Sequence, residues 1–270
     1  MTSKIKFAAI VPGLPQLNKP QLSSSYRELS EAMTALGDTW RHEGIERIFY
    51  YSTQWISVLG QSYQARAALS GLHVDENWYE LGDLPFKFTV DRSAAERMAK
   101  SAESAGYQTR LVDYDGFPVD TGTIVADGLL NPGGRMKSLM LSCCVYSDYA
   151  DTVKLAGTAL AALADGVPTA AVAVTGLSGR YFTTDIDPRE DHINGKADDE
   201  WNRKILAKLA AGDVNGARAD LPAYGAACKV DMGLKALAFL EGLQVATQGR
   251  KATLRAYGAL HGTGGAVLSY

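Results

Sequence analysis

Apolar residues along the chain fall into short unbroken runs and longer stretches with helical spacing. Residues 7–11 form a run of the first kind, Phe7 to Val11, closed by Pro12-Gly13-Leu14-Pro15. A short apolar run bounded by turn residues predicts a strand buried on both faces. Between 23 and 42, Tyr26, Leu29, Met33, Leu36 and Trp40 recur along one helical face, behind serines able to cap it. A second buried run, Ile48 to Tyr51, is ended by Ser52-Thr53, which leaves Gln54-Trp55 at the carboxyl end of a strand. The same reading predicts strands over 63–69, 85–90, 109–112, 138–146, 169–174, 251–257 and 266–269. Helices are predicted over 93–106, behind Asp91, and over 149–164, 201–211, 214–221 and 232–243. Residues 120–130 are apolar in a mixed pattern, and 185–199 form a long polar loop. Helices alternating with buried strands predict an α/β fold, one domain over 1–270, with a central mixed β-sheet flanked by helices on both faces.

Composition narrows the function classes. A chain of 270 residues with 46% hydrophobic content can bury one large core. Net charge is −3 and no basic stripe is present, so no nucleic acid is expected as a partner. No apolar run approaches membrane-span length, so no membrane is expected either. The start, Met1 to Lys6, has no long apolar stretch of a secretory leader. Cys143, Cys144 and Cys228 read as small buried hydrophobes, which fits a reduced, cytoplasmic protein.

Several motifs invite a chemical reading. Gly262-Thr263-Gly264-Gly265 resembles part of a nucleotide fingerprint, but no helix can follow it, so it reads as a strand-connecting turn. Gly133-Gly134-Arg135 lacks the Walker spacing. Gly176-Leu177-Ser178-Gly179 follows a strong strand like a nucleophile elbow, yet Arg180 stands where the second glycine is needed. His42, His73, His192 and His261 offer Ser178 no obvious base. The acidic loop from Asp185 to His192 has Glu190 where a calcium loop requires glycine.

Four segments in order then carry a resemblance. They are Ile10-Val11-Pro12-Gly13-Leu14-Pro15-Gln16, Tyr51-Ser52-Thr53-Gln54-Trp55, Val174-Thr175-Gly176-Leu177-Ser178-Gly179-Arg180, and the stretch from Tyr257 to Val267. Together they resemble the class III extradiol dioxygenase superfamily, whose members cleave catechol-like rings with non-haem Fe(II). Active members have Pro-His-x-Pro-His after the first strand and Ser-x-His-Trp after the second. With a late glutamate, histidines from these motifs form a two-histidine, one-carboxylate iron site. By this resemblance the first ligand position is Gly13, with Gln16 replacing the next histidine of that motif. The second ligand position is Gln54, the carboxylate position is Lys229, and the acid–base position is Gly179. Glycine offers no ligand, an amide binds ferrous iron poorly and an ammonium repels it.

The resemblance therefore implies no catalytic, cofactor-binding or metal residue in this chain. Its pattern of loss is that of the non-catalytic α-type subunit of two-subunit 2-aminophenol-cleaving members. There a homologous catalytic β subunit carries Fe(II), in an α2β2 heterotetramer that opens an aminophenol ring, chlorinated or not, to an aminomuconic semialdehyde. Two other readings stay open. The chain could be a stand-alone small-molecule binder or scaffold reusing the empty cavity, or an enzyme using Ser178 or the 185–192 loop. Lys229 has two open placements as well: a buried counter-charge to Asp231, or a solvated residue at a helix start.

Overall fold

The structure, a computed structural model, describes residues 5–114 and 119–270. Residues 1–4, read above for a leader, lie outside the described residues. In chain order the elements are β1 (Ile5–Val11), α1 (Ser24–His42), β2 (Arg47–Ser57), β3 (Gln61–Gln64), β4 (Ala68–His73), β5 (Leu84–Thr89) and α2 (Arg92–Ser104). Then follow β6 (Thr109–Val112), α3 (Thr121–Leu130), β7 (Lys137–Cys144), α4 (Tyr149–Ala162) and β8 (Thr169–Val174). Three helices come next: α5 (Lys196–Ala211), α6 (Val214–Cys228) and α7 (Lys235–Gly242). The chain closes on β9 (Thr253–Leu260) and β10 (Thr263–Ser269).

Eight strands form one sheet in the order β6-β3-β7-β2-β8-β1-β10-β9, and β4 and β5 make a separate hairpin. The inner strands β7, β2, β8 and β1 run parallel, and β3 and β10 pair antiparallel on either side of them. The sheet is mixed, with helices on both faces, as the sequence predicts. Alternation along β2 explains the two layers. Phe49 and Tyr51 enter one core with residues of α2, α4, α5, α6 and α7. Ile48 and Tyr50 enter the other with residues of α1 and α3. Burial on both faces is what makes these strands read as continuous apolar runs.

Several boundaries differ from the sequence reading. α6 runs on past Pro222 to Cys228 instead of ending at 221, and α7 begins at Lys235 instead of 232. Three further differences have a physical reason in the sheet. The predicted strand over 63–69 is two strands: β3 joins the main sheet, whereas β4 leaves it to pair with β5. β2 does not end at Ser52-Thr53 but continues to Ser57. Its register against β7 jumps between Ser52 and Ile56, so Thr53, Gln54 and Trp55 bulge out of the ladder. Gly264 and Gly265 lie inside β10, paired with Ala259 and Gly258. The turn before them is His261-Gly262 alone, with φ of 50° and 87°, the two-residue hairpin geometry whose twist suits antiparallel strands. The 120–130 segment resolves as α3, capped by the Asp120 side chain accepting from Thr123 N.

Candidate functional site

Parallel inner strands aim their carboxyl ends at one edge of the sheet, where ligands collect in α/β folds. Here β1 runs out into Pro12-Gly13-Leu14, β2 into its bulge, and β8 into Gly176 to Gly179. These three meet the 229–232 segment around a cavity of about 300 Å³. Of the five positions singled out by the resemblance, Gly13, Gln54, Gly179 and Lys229 line it, whereas Gln16 faces a neighbouring cavity. Gly13 and Lys229 stand 216 residues apart in the chain, and it is the strand order of the sheet that gathers them.

The bulge is fastened residue by residue. Ser52 Oγ donates to Asp120 Oδ1 at 2.6 Å, which ties it to the capped start of α3. Gln54 N donates to Ser52 Oγ at 3.2 Å, and Gln54 Nε2 donates to the carbonyl of Gly13 at 3.1 Å. Burial pushes the Asp120 carboxyl up, against the lowering effect of the Ser52 and Thr123 donors. Thr53 Oγ1 reaches Asp231 Oδ2 at 2.6 Å, and Thr175 Oγ1 and Gly176 N donate to the same oxygen at 2.9 Å each. Backbone bonds from Asp231 N to Leu177 O and from Gly179 N to Cys228 O pin the 228–231 segment along the opposite wall.

Asp231 is therefore satisfied by two threonines and a backbone amide, not by Lys229. The Lys229 side chain is exposed, and the residue terminates α6 in the left-handed region at φ 49° and ψ 51°. Of the two placements open from sequence, the buried counter-charge is corrected: the lysine is solvated, at a helix end instead of a helix start. Left-handed backbone recurs at Met232, Gly233 and Leu234, at φ of 43°, 63° and 56°, so the turn leading into α7 is strained at its two side-chain-bearing residues.

The other motifs resolve into structural roles. Ser178 Oγ accepts from Asn202 Nδ2 at 3.0 Å, and Asn202 Oδ1 accepts from Ser178 N and from Tyr224 OH at 3.2 and 2.5 Å. An amide holds this serine where a hydrolase would need an imidazole. Arg180, in the place of the elbow's second glycine, pairs with buried Asp198 and donates to the Ala227 carbonyl. In the acidic loop, Asp191 clamps the β9–β10 turn, accepting from Tyr26 OH, His261 N and Gly262 N at 2.8, 2.6 and 2.9 Å. Asp187 holds Arg189, whose hydrogen bonds draw its carboxyl down to about 2. Sequence reasoning missed Asp120, Thr175, Tyr181 and Asn202. Only Asp120 carried a signal, as an acidic cap just ahead of a helical stretch.

The donors around the cavity do not fit ferrous iron. They comprise one carboxylate already committed to three donors, one amide turned to a backbone carbonyl, and hard hydroxyls. Room for a side chain at the two glycines is closed as well. A Cβ at Gly13 would stand 2.5 Å from Val174 Cγ1 and 2.6 Å from Gly122 Cα, and one at Gly179 would stand 2.5 Å from Lys229 O. No imidazole enters at either position without backbone movement.

Comparison with known proteins completes the picture. No protein-family model matches the chain. It is similar to the 2-aminophenol 1,6-dioxygenase alpha subunit of a Pseudomonas species, 36% identical over 267 residues covering 97% of each chain. Its fold matches the crystal structure of an uncharacterized Escherichia coli K12 protein at a TM-score of 0.67, with 16% identity over 97% of this chain and 98% of that one. Among the described residues no helix is long and apolar enough to cross a membrane. Identity at this level along nearly the whole length places the chain in the 2-aminophenol 1,6-dioxygenase alpha-subunit family.

Proposed function

We propose that this chain is the non-catalytic α subunit of a heteromeric 2-aminophenol 1,6-dioxygenase. It supports the fold and assembly of a homologous catalytic β subunit, in an α2β2 heterotetramer of the cytoplasm. The β subunit holds the Fe(II) and opens the ring of an aminophenol, chlorinated or not, to an aminomuconic semialdehyde. The observation that carries this reading is the state of the sheet-edge cavity. Gly13, Gln54, Lys229 and Gly179 meet there, with Gln54 bonded across to Gly13 and both glycines too crowded for a larger side chain. The name of the Pseudomonas relative supports the subunit role. A fold kept intact around such a cavity is retained for what it contacts.

The test is iron and turnover measured on the same preparation. Purified alone and reconstituted anaerobically with Fe(II), the chain should hold iron at a ratio near zero and leave 2-aminophenol intact. Co-purified with a homologous chain carrying the full histidine, histidine and glutamate set, it should appear in equal amounts and raise that chain's yield or activity. Iron near one per chain, or turnover by the chain alone, overturns the reading. The stand-alone binder remains the second reading, because the cavity keeps about 300 Å³ of open space. It predicts a stable chain that gains nothing from such a partner.

A further inference from the structure

A second, larger cavity of about 510 Å³ lies beside the first, within the usual size of small-molecule sites. Its walls are aromatic. Trp78 and Tyr79 come from the segment between β4 and β5, Phe182 from the loop after β8, and His261 from the β9–β10 turn. The His261 ring stands edge-on to Phe182 at 6.0 Å and to Trp78 at 6.1 Å, and Trp78 packs on Tyr181, which lines the first cavity. The two cavities thus share an aromatic partition. His261 is held there at positive φ by the Asp191 clamp, a conformation that is costly for a side-chain-bearing residue and persists only where its surroundings enforce it.

One polar group in this wall has no explanation in the fold. Gln16, in the turn Pro15–Asn18, is 3% exposed and lines the cavity, yet its Oε1 has no hydrogen-bond partner. A buried unpaired carbonyl oxygen calls for a donor. The terminal torsion of glutamine is broad, so its amide can turn toward an occupant at small cost. Among the lining residues, exposed Glu80 and Asp185 bring negative charge, which disfavours an anionic occupant.

We propose that this cavity binds a neutral or cationic aromatic ring bearing an amino or hydroxyl group. Trp78 and Phe182 flank the ring, and the Gln16 amide accepts from its N–H or O–H. The site is separate from the sheet-edge cavity, and the proposal does not rest on the subunit reading.

The experiment is calorimetric titration of the full chain with 2-aminophenol, kept anaerobic, alongside saturation-transfer NMR. Cyclohexylamine serves as the ring-free control and 2-hydroxybenzoate as the anionic one. The expected result is saturable binding of one 2-aminophenol per chain, with both controls at least ~10-fold weaker. Gln16→Met should weaken binding about fivefold or more, as loss of one hydrogen bond does. Trp78→Ala, in a half-buried position, should weaken it by a similar or larger factor. Lys229→Met, which alters only the sheet-edge cavity, should leave it unchanged. Absence of saturable binding overturns the proposal, as does wild-type affinity in both Gln16→Met and Trp78→Ala. Loss of binding in Lys229→Met overturns it too, by placing the ligand in the first cavity. Should Gln16→Met fail to fold, Trp78→Ala carries the decision. A chain that binds the probe but gains nothing from a catalytic partner leaves this site standing and removes the subunit reading.

Discussion

Asp127 is a carboxylate buried in α3 among three donors: Tyr50 OH at 2.9 Å, Asn131 Nδ2 at 3.1 Å and Ser138 Oγ at 3.4 Å. Burial outweighs these hydrogen bonds and pushes its carboxyl up to about 7. Because the folded chain holds this proton more tightly than the unfolded chain, the stabilisation is complete below about pH 4 and is lost as pH rises through the folded value. Asp127→Asn keeps an acceptor oxygen and removes the titration. Urea unfolding should show the variant gaining on the wild type by up to a few kcal/mol between about pH 4 and pH 8. A gap that does not change with pH would assign the titration to another group. Gly13 offers a second test at this scale. Its absent Cβ would overlap Val174 Cγ1 and the Gly122 backbone, so Gly13→Ala should destabilise by about 1–3 kcal/mol in the same assay. The conclusion drawn from sequence, that Gly13 lacks a ligand, is thereby deepened: the backbone around it has closed.

At the scale of elements, the end of α6 is the informative one. Lys229 holds the left-handed region, where a Cβ is strained by ~1–2 kcal/mol relative to glycine. Lys229→Gly should therefore stabilise by about 0.5–1 kcal/mol, after glycine's larger loss of freedom on folding is subtracted. It should read as a rise of a few degrees in melting temperature. Lys229→Met should change stability by no more than about 0.5 kcal/mol, as expected for an exposed side chain. A marked loss in that variant would restore the counter-charge role. The lengthened β2 belongs here too. Its run Ile48 to Tyr51 was legible because burial on both faces leaves an unbroken apolar signature, but the bulge at Thr53 to Trp55 was not. Polar residues at a strand end look the same whether the strand stops or steps out of register.

Across the whole molecule, Arg47 joins segments far apart in the chain. Fully buried at the start of β2, it donates to Asp91 Oδ2 at 2.8 Å, to Asp165 Oδ2 and Oδ1 at 2.8 and 3.0 Å, and to Thr169 Oγ1 at 3.1 Å. Burial would raise both carboxyls, but the Arg47 guanidinium and nearby backbone amides hold them below the usual range. A lowered carboxyl contributes stability above its unfolded pKa and loses it as pH falls through the folded value. Arg47→Met should cost roughly 2–4 kcal/mol near neutral pH, discounted for the partial exposure of both aspartates. The cost should shrink below about pH 4, where the carboxyls titrate. A pH-independent cost would mean that packing of the side chain, not its charge, is what the fold uses.

By itself the sequence determined the α/β class, the two-faced sheet and the members of its core, because apolar period and turn residues are local properties of the chain. It also named Gly13, Gln54, Gly179 and Lys229, because motif spacing survives when side chains are replaced. Only the tertiary structure decided what those positions do now. It bonded Gln54 to Gly13, gave Asp231 to Thr53, Thr175 and Gly176, and turned Lys229 out to solvent. It also set unpaired Gln16 beside Trp78, Phe182 and His261. Hydrogen bonds and clashes between residues this far apart depend on register, bulges and strand order. Those are settled when the whole sheet assembles, and no local stretch of sequence encodes them.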